Sequence, residues 1–315
     1  MKVVSVINYK GGVGKTTLTA NLGAYAASNG RRVLMIDLDP QASLTFSFLT
    51  PEYWGMKYSD NKTMKNYFEP VIKKYAGKPD LRNLILPINM GNIMNFDGMK
   101  FDIICSSLKL IDIDVKLSLL INVTYPEIWA SSFLSVCSYL HNSLSEIQDD
   151  YDLVLIDCPP NTNIVVKNAL LASDYYIVPA KMDYLSTMGI QQLIDGVNEY
   201  IEEYCRHMNT LNNPPEYIQP SIKLLGIVPM MVTILKDRNG YKDITATQHD
   251  FMTGLEHKGF KIFPLVRNNG TVFGSAPVDG IPVVLTHPKF YQTTHRKIIS
   301  ELEELGEEFL AGIGL

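Results

Sequence analysis

The chain has 315 residues, 46% of them hydrophobic, enough to pack one large α/β domain or two smaller ones. With 33 acidic against 28 basic side chains the formal charge is −5, so no global field draws the protein to nucleic acid or anionic lipid, and such binding needs a local basic patch. Four scattered cysteines without a C-x-x-C pair argue against a disulfide framework or structural zinc, and six histidines without a ligand cadence against a transition metal; a reduced cytoplasmic setting is expected.

The chain opens MKVVSVINYK, an apolar run too short for a signal-peptide core that leads straight into a glycine loop, so export is not expected. Residues 3–7 are apolar and mostly β-branched and predict a strand, residues 9–14 the loop, and residues 15–29 a helix ended by Gly30. RRVLMIDLDP supplies a second buried strand over 33–37, and a β-loop-α-β unit this compact implies a right-handed crossover and a parallel sheet. Between 51 and 100 the pattern weakens into a segment dotted with Lys57, Lys62, Lys65, Lys73, Lys74 and Lys78, read as loops and short helices decorating the sheet. Further strands are expected at 101–105, 153–157, 175–178 and 224–228, alternating with helices such as 131–147 and 185–207. This alternation predicts an α/β fold, a doubly wound, mostly parallel sheet flanked by helices. No repeat or persuasive linker divides the chain, so one domain over 1–315 is expected. The weakly charged stretch 117–140 is interrupted by Pro126 and Glu127 and falls short of the roughly 20 apolar residues that cross a bilayer.

The loop, KGGVGKTT, carries the chemistry. Glycines between a strand and a helix let successive backbone N–H groups meet phosphate oxygens, and the helix N-terminus adds partial positive charge. Lys10, Gly11, Gly12, Val13, Gly14, Lys15, Thr16 and Thr17 are the candidate nucleotide-binding residues, with Lys15 reaching the β- and γ-phosphates and the Thr16 hydroxyl at a magnesium position. The usual G-x-x-x-x-G-K-[ST] pattern wants glycine at position 9; here Tyr9 stands there and Lys10 precedes the glycine pair. Downstream, DLDPQAS places Asp37 at a strand end and Asp39 where it could orient a water, although Asp-Pro also simply begins turns. YDLVLIDCPPN ends a strand in Asp157, where open α/β sheets bind ligands.

These three stretches resemble the deviant Walker A ATPases of the ParA/MinD type, a family of P-loop NTPase fold whose signature loop is K-G-G-x-G-K-[ST]. The resemblance implies ATP and Mg2+ as cofactors and a homodimer in the ATP state, in which Lys10 crosses the interface to touch the partner's nucleotide. It implies catalytic roles for Lys10, Lys15 and Asp39 and a metal site built from Thr16, Asp37 and Asp157. VRNNGTVFGSAPVDGIPVV is similar to the family's segment near adenine, which implies nucleotide contacts by Arg267 and Asn268. The match spans most of the chain and is weakest over 51–100.

The chain ends in HRKIISELEELGEEFLAGIGL, where Ile298, Leu302, Leu305 and Phe309 form an apolar stripe at helical spacing. The polar side carries Glu301, Glu303, Glu304, Glu307 and Glu308, which anionic lipid would repel, so a core-packed helix and no membrane partner are expected. Of the family's branches the chain resembles most the ParA partition ATPases, which implies nonspecific duplex DNA and a ParB-like or other adaptor protein as partners, a nucleoid association when ATP is bound, and plasmid or chromosome partition as the task. Arg206, Lys223, Lys236, Arg238, Lys242, Lys258 and Lys261 are the candidate phosphate contacts. An ATPase that positions a protein cargo, or a metabolite-dependent ATP ligase of the same superfamily, is the alternative.

Overall fold

A computed structural model describes residues 1–73, 80–88, 99–121, 126–211, 219–236, 242–286 and 293–315. In chain order its elements are β1 (Lys2–Val6), α1 (Lys15–Ser28), β2 (Val33–Asp37), α2 (Ser43–Phe46), α3 (Pro51–Lys57), α4 (Met64–Lys73), β3 (Leu86–Pro87) and β4 (Phe101–Ile104). There follow α5 (Leu110–Ile121), α6 (Pro126–Cys137), α7 (Tyr139–Ser145), β5 (Leu153–Asp157), α8 (Ile164–Ala172), β6 (Tyr175–Ala180) and α9 (Tyr184–Thr210). The last third holds β7 (Lys223–Val232), β8 (Ile234–Lys236), β9 (Lys242–Ile244), α10 (Ala246–His257), β10 (Val266–Arg267), α11 (Gly270–Asp279) and α12 (Thr293–Ile313).

Among the described residues the main sheet has eight strands in the order β10-β7-β6-β1-β5-β2-β4-β3. All neighbours run parallel except the edge pair β3–β4, so the expected doubly wound sheet is the observed one. β2 and β5 are buried at every residue because helices cover both faces, which is why each reads as an unbroken apolar run closed by an aspartate. One apolar layer, built on α4 to α9, covers one face; α1 and α12 build the other. The strands carrying the glycine loop and the two terminal aspartates lie side by side, and β1 feeds its loop out between β5 and β6.

The C-terminal stripe packs inward as expected: Ile298, Leu302, Leu305 and Phe309 are buried against α1, each worth about 1.5–3 kcal/mol of transfer free energy. No described helix is long and apolar enough to cross a membrane.

Two expectations need correction. The helix read over 131–147 is two helices, broken at Ser138. The Ser138 hydroxyl donates back to the Leu134 carbonyl (2.6 Å), and Asn168 of α8 bridges the break, donating to the Val136 carbonyl (2.9 Å) and accepting from the Leu140 amide (3.1 Å). The segment 51–100 is more than decoration: α4 buries Met64, Tyr67 and Phe68 in the core, and Leu86–Pro87 forms the antiparallel edge strand. Lys74 and Lys78 lie outside the described residues.

Candidate nucleotide site

The loop leaves β1 through Asn8, whose buried amide donates to the Pro179 carbonyl (2.9 Å) and whose Oδ1 accepts the Lys10 amide (2.9 Å). Gly12 (φ 66°) and Gly14 (φ 93°) take left-handed backbone, which a side chain would strain. Gly11 and Gly12 face out, while Val13 is fully buried and anchors the turn in the core. Gly14 is the residue before α1, so the amides of the first helical turn open toward the same space.

Lys15 curls over this loop, its ammonium donating to the carbonyls of Asn8 (3.0 Å) and Lys10 (3.2 Å). Burial lowers its pKa, and the charges of Asp157 and Asp39 oppose that shift. Thr16 donates to Asp157 Oδ2 (2.7 Å), which ties the start of α1 to the end of β5; Thr19 makes a longer contact to Oδ1 (3.4 Å).

Asp37 and Asp157 sit opposite each other in register on β2 and β5, both buried. Burial raises the pKa of each, and neighbouring negative charge adds to it: Asp157 is pushed up to about 7 by burial and then by Asp39, Asp37 upward by burial and then by Asp157. Asp37 is also saturated, its Oδ1 accepting the Asp39 amide (3.1 Å) and its Oδ2 the Thr45 amide and hydroxyl (2.8 Å each). It therefore holds the Asp39 turn and α2 in place from behind the cleft wall. Asp39 itself lines the cleft, its Oδ1 accepting the Gln41 amide (2.9 Å).

The cleft has a volume of about 680 Å³. Its phosphate end is walled by Gly11, Gly12, Gly14, Lys15, Thr16 and Asp39, and Pro159, Pro160 and Asn161 close the side beyond β5. The other end is apolar, walled by Met231, Phe273, Ile281 and Pro282, and held shut by Asn21, whose Oδ1 accepts the Val284 amide (2.9 Å). A polar, glycine-walled end joined to a flat apolar end suits a nucleotide. Thr17 lines the cleft; Arg267 and Asn268 do not. The Arg267 guanidinium is instead held by Glu301 of α12, through Nε at 2.7 Å and a second contact through Nη2. Phe273, Ile281 and Pro282 belong to the segment VRNNGTVFGSAPVDGIPVV, which the resemblance put near adenine, whereas Met231, at the end of β7, carries no sequence signal for this wall.

Lys10 points away from this cleft. Its ammonium donates to both carboxylate oxygens of Asp183 (3.2 and 3.0 Å) and to the Ser186 hydroxyl (2.9 Å), at the start of α9. Asp183 is the N-cap of that helix, accepting the Ser186 amide at 2.8 Å. The sequence signal for Asp183 is the D-x-x-S spacing before an apolar periodic run, which predicts a helix start and nothing about Lys10.

Of the basic candidates, Lys223 and Lys258 are exposed, Arg206 is exposed beside Glu202 (3.9 Å), and Lys261 pairs with Glu308 (2.9 Å). Lys236 and Lys242 are register partners on the β8–β9 ribbon, and Arg238 lies outside the described residues. Cys105, Cys137 and Cys158 are buried, their thiols pushed up by burial, and all four cysteines are free.

Residues 1–210 match the family described as an AAA domain. An uncharacterized protein of Methanocaldococcus jannaschii is 31% identical over 259 residues, which cover 76% of this chain and 89% of that protein. The sporulation initiation inhibitor protein Soj of Bacillus subtilis is 26% identical over 91% of this chain and 92% of its own. In fold the chain is similar to Cyanothece McdA in its complex with ATP, with a TM-score of 0.69 at 16% identity over 100% of this chain and 97% of that one.

Proposed function

The chain belongs to the ParA/MinD-type P-loop ATPases, and from that premise we propose that it dimerises on ATP, binds duplex DNA without sequence preference, and drives plasmid or chromosome partition with a ParB-like partner. The observation that carries the reading is the divergence of the two loop lysines. Lys15 bends inward over its own loop, whereas Lys10, one residue before the glycine pair, stands at the rim and outside its own cleft. We read that cation as the one that meets a nucleotide held by a second chain, which would make dimerisation conditional on the γ-phosphate.

The donor set fits a hard divalent cation. The Thr16 hydroxyl and the Asp157 carboxylate are adjacent, and the strain of burying Asp157 beside Asp37 and Asp39 is relieved by positive charge. Thr16 and Asp157 would hold Mg2+, which would neutralise charge on the triphosphate. The amides of the glycine loop and Lys15 bind the phosphate oxygens. Asp39 orients a water for attack on the γ-phosphorus; the bond to the β–γ bridging oxygen breaks, and ADP and phosphate leave. Asp37 fixes the turn that carries Asp39.

DNA retention tests the reading. With a slowly hydrolysed ATP analogue the protein is expected to hold duplex DNA at physiological salt and to release it with ADP. Lys10→Ala should bind ATP as a monomer yet fail to dimerise or to hold DNA. Equal DNA binding with analogue and ADP, or ATP turnover that demands a small metabolite and ignores DNA, overturns partition.

A further inference from the structure

We infer that a second cavity, between α8 and α9 and against the start of the phosphate loop, is an effector site for a small aliphatic amine, and that its occupancy tightens nucleotide binding. It requires a nucleotide in the main cleft and does not depend on partition.

The cavity has a volume of about 480 Å³, within the range of small-molecule sites. It shares two stretches of chain with the nucleotide cleft: Tyr9 lines it, two residues before Gly11 of the cleft wall, and Thr162 lines it, one residue after Asn161. Its floor is apolar, made by Leu170 of α8 and by Val197 and Tyr200 of α9, all buried. The charges around that floor are unevenly matched. Lys167 is committed to Glu203 (3.2 Å) and lies over the Tyr200 ring (5.0 Å to its centroid), and Arg206 stands beside Glu202 (3.9 Å). Glu199 is the third carboxylate of the wall and has no ion pair among the described residues. The Tyr9 hydroxyl, seated at Gly196 one turn before Glu199, has no hydrogen-bond partner among them. Burial and then Glu199 raise its pKa, so it stays a neutral phenol whose oxygen can accept a hydrogen bond. A spare carboxylate and a spare acceptor above an apolar floor match a cation carried on a short hydrocarbon chain.

An amine bound to both groups ties Tyr9 to α9 and orders the chain that enters the phosphate loop. The nucleotide then has less of that loop to order, which tightens its binding. Linkage makes the coupling reciprocal: amine and nucleotide tighten each other by the same factor, expected at about 5-fold or more.

Titration calorimetry of the full chain with the four-carbon diamine putrescine tests this, with and without a slowly hydrolysed ATP analogue and Mg2+, at ionic strength matched by NaCl. Wild type is expected to take up one diamine per chain. Glu199→Gln should weaken that binding by about 2- to 5-fold, as for an exposed ion pair. Tyr9→Phe, which keeps the ring and removes the hydroxyl, should weaken it by about 2- to 10-fold. Glu304→Gln, on the exposed side of α12, should change nothing. Equal weakening in Glu304→Gln, or uptake that never saturates, marks nonspecific attraction to an acidic chain and overturns the site. Saturable binding that is indifferent to the analogue overturns the effector role. Failure of the analogue to induce dimers or DNA retention would overturn partition and leave this site standing.

Discussion

Two aspartates side by side at the ends of β2 and β5 make the nucleotide-free site electrostatically costly. Asp157 titrates near 7 in the folded chain against an ordinary 3.8. Between those values the folded state keeps a proton that the unfolded chain has released, so stability is fully present below the unfolded pKa and falls as pH rises through the window. The thermal midpoint of nucleotide-free protein is therefore expected to drop between about pH 4 and pH 7. Asp157→Asn should flatten that slope and be more stable than wild type near pH 8 by about 1–3 kcal/mol, while losing Mg2+-dependent ATP binding. Calorimetry of both proteins across that range checks it, and parallel profiles would exclude the pair as the source. The glycines, Lys15 and Thr16 stand out in the sequence because a phosphate loop needs those residue types at fixed short spacings, whereas Asp39 and Asp157 stand out because each follows or closes an apolar strand run, and the fold brings both to the same cleft region as the loop. Asp183 was not, since it lies 173 residues from Lys10 and its local signal describes only a helix start. Arg267 is the opposite case: the resemblance implied a nucleotide contact, and the fold holds the guanidinium on Glu301.

Among the elements, α1 and α12 show how tightly the site's supporting helix is clamped. Gly306 of α12 lies against the ring of Tyr25 on α1, and a Cβ there would fall well inside contact distance of the ring's near atoms. Glycine to alanine inside a helix ordinarily stabilises by about 1 kcal/mol. Here Gly306→Ala is expected to destabilise instead, by about 1–3 kcal/mol, because the ring's base cannot swing clear as a flexible chain end would. Denaturant unfolding of Gly306→Ala, and of the same change with Tyr25→Ala, checks this; the second change should recover much of the loss. Strands and long helices were legible because their apolar patterns are local. The break at Ser138 was not, since Asn168 on another helix completes the severed hydrogen bonds and so removes the cost that would otherwise keep the helix continuous. The edge strand Leu86–Pro87 has two residues and no periodicity to read.

For the molecule as a whole, alternation of strands and helices gave the fold class, but strand order is set by crossovers between distant segments and had no local signature. Exposed apolar groups stand on α5, at Ile111, which lines the cleft, Val115 and Leu119, and at the start of α9, at Tyr184, Leu185 and Met188. A chain of net charge −5 that holds DNA must do so through a local patch, so retention should weaken steeply with salt. Under the proposed cycle Asp39→Ala keeps the phosphate loop and Lys10 but lacks the group that orients water. With ATP it is expected to form dimers that remain on DNA for longer than wild type, with turnover reduced by about 100-fold or more. Normal turnover and release in that variant would remove Asp39 from the mechanism.

Gly196, midway along α9, leaves room for the Tyr9 hydroxyl that a Cβ would crowd at 2.7 Å, while Lys10 grips the same helix at its first turn. Two successive loop residues thus bolt onto one rod about 40 Å long. Such a rod behaves as a pointer: a pivot of about 5° at the Tyr9 seat swings its tip at Thr210 by about 2 Å. The tyrosine standing where the common loop has glycine thus gives the loop a seat on α9, at Gly196, that a glycine could not make.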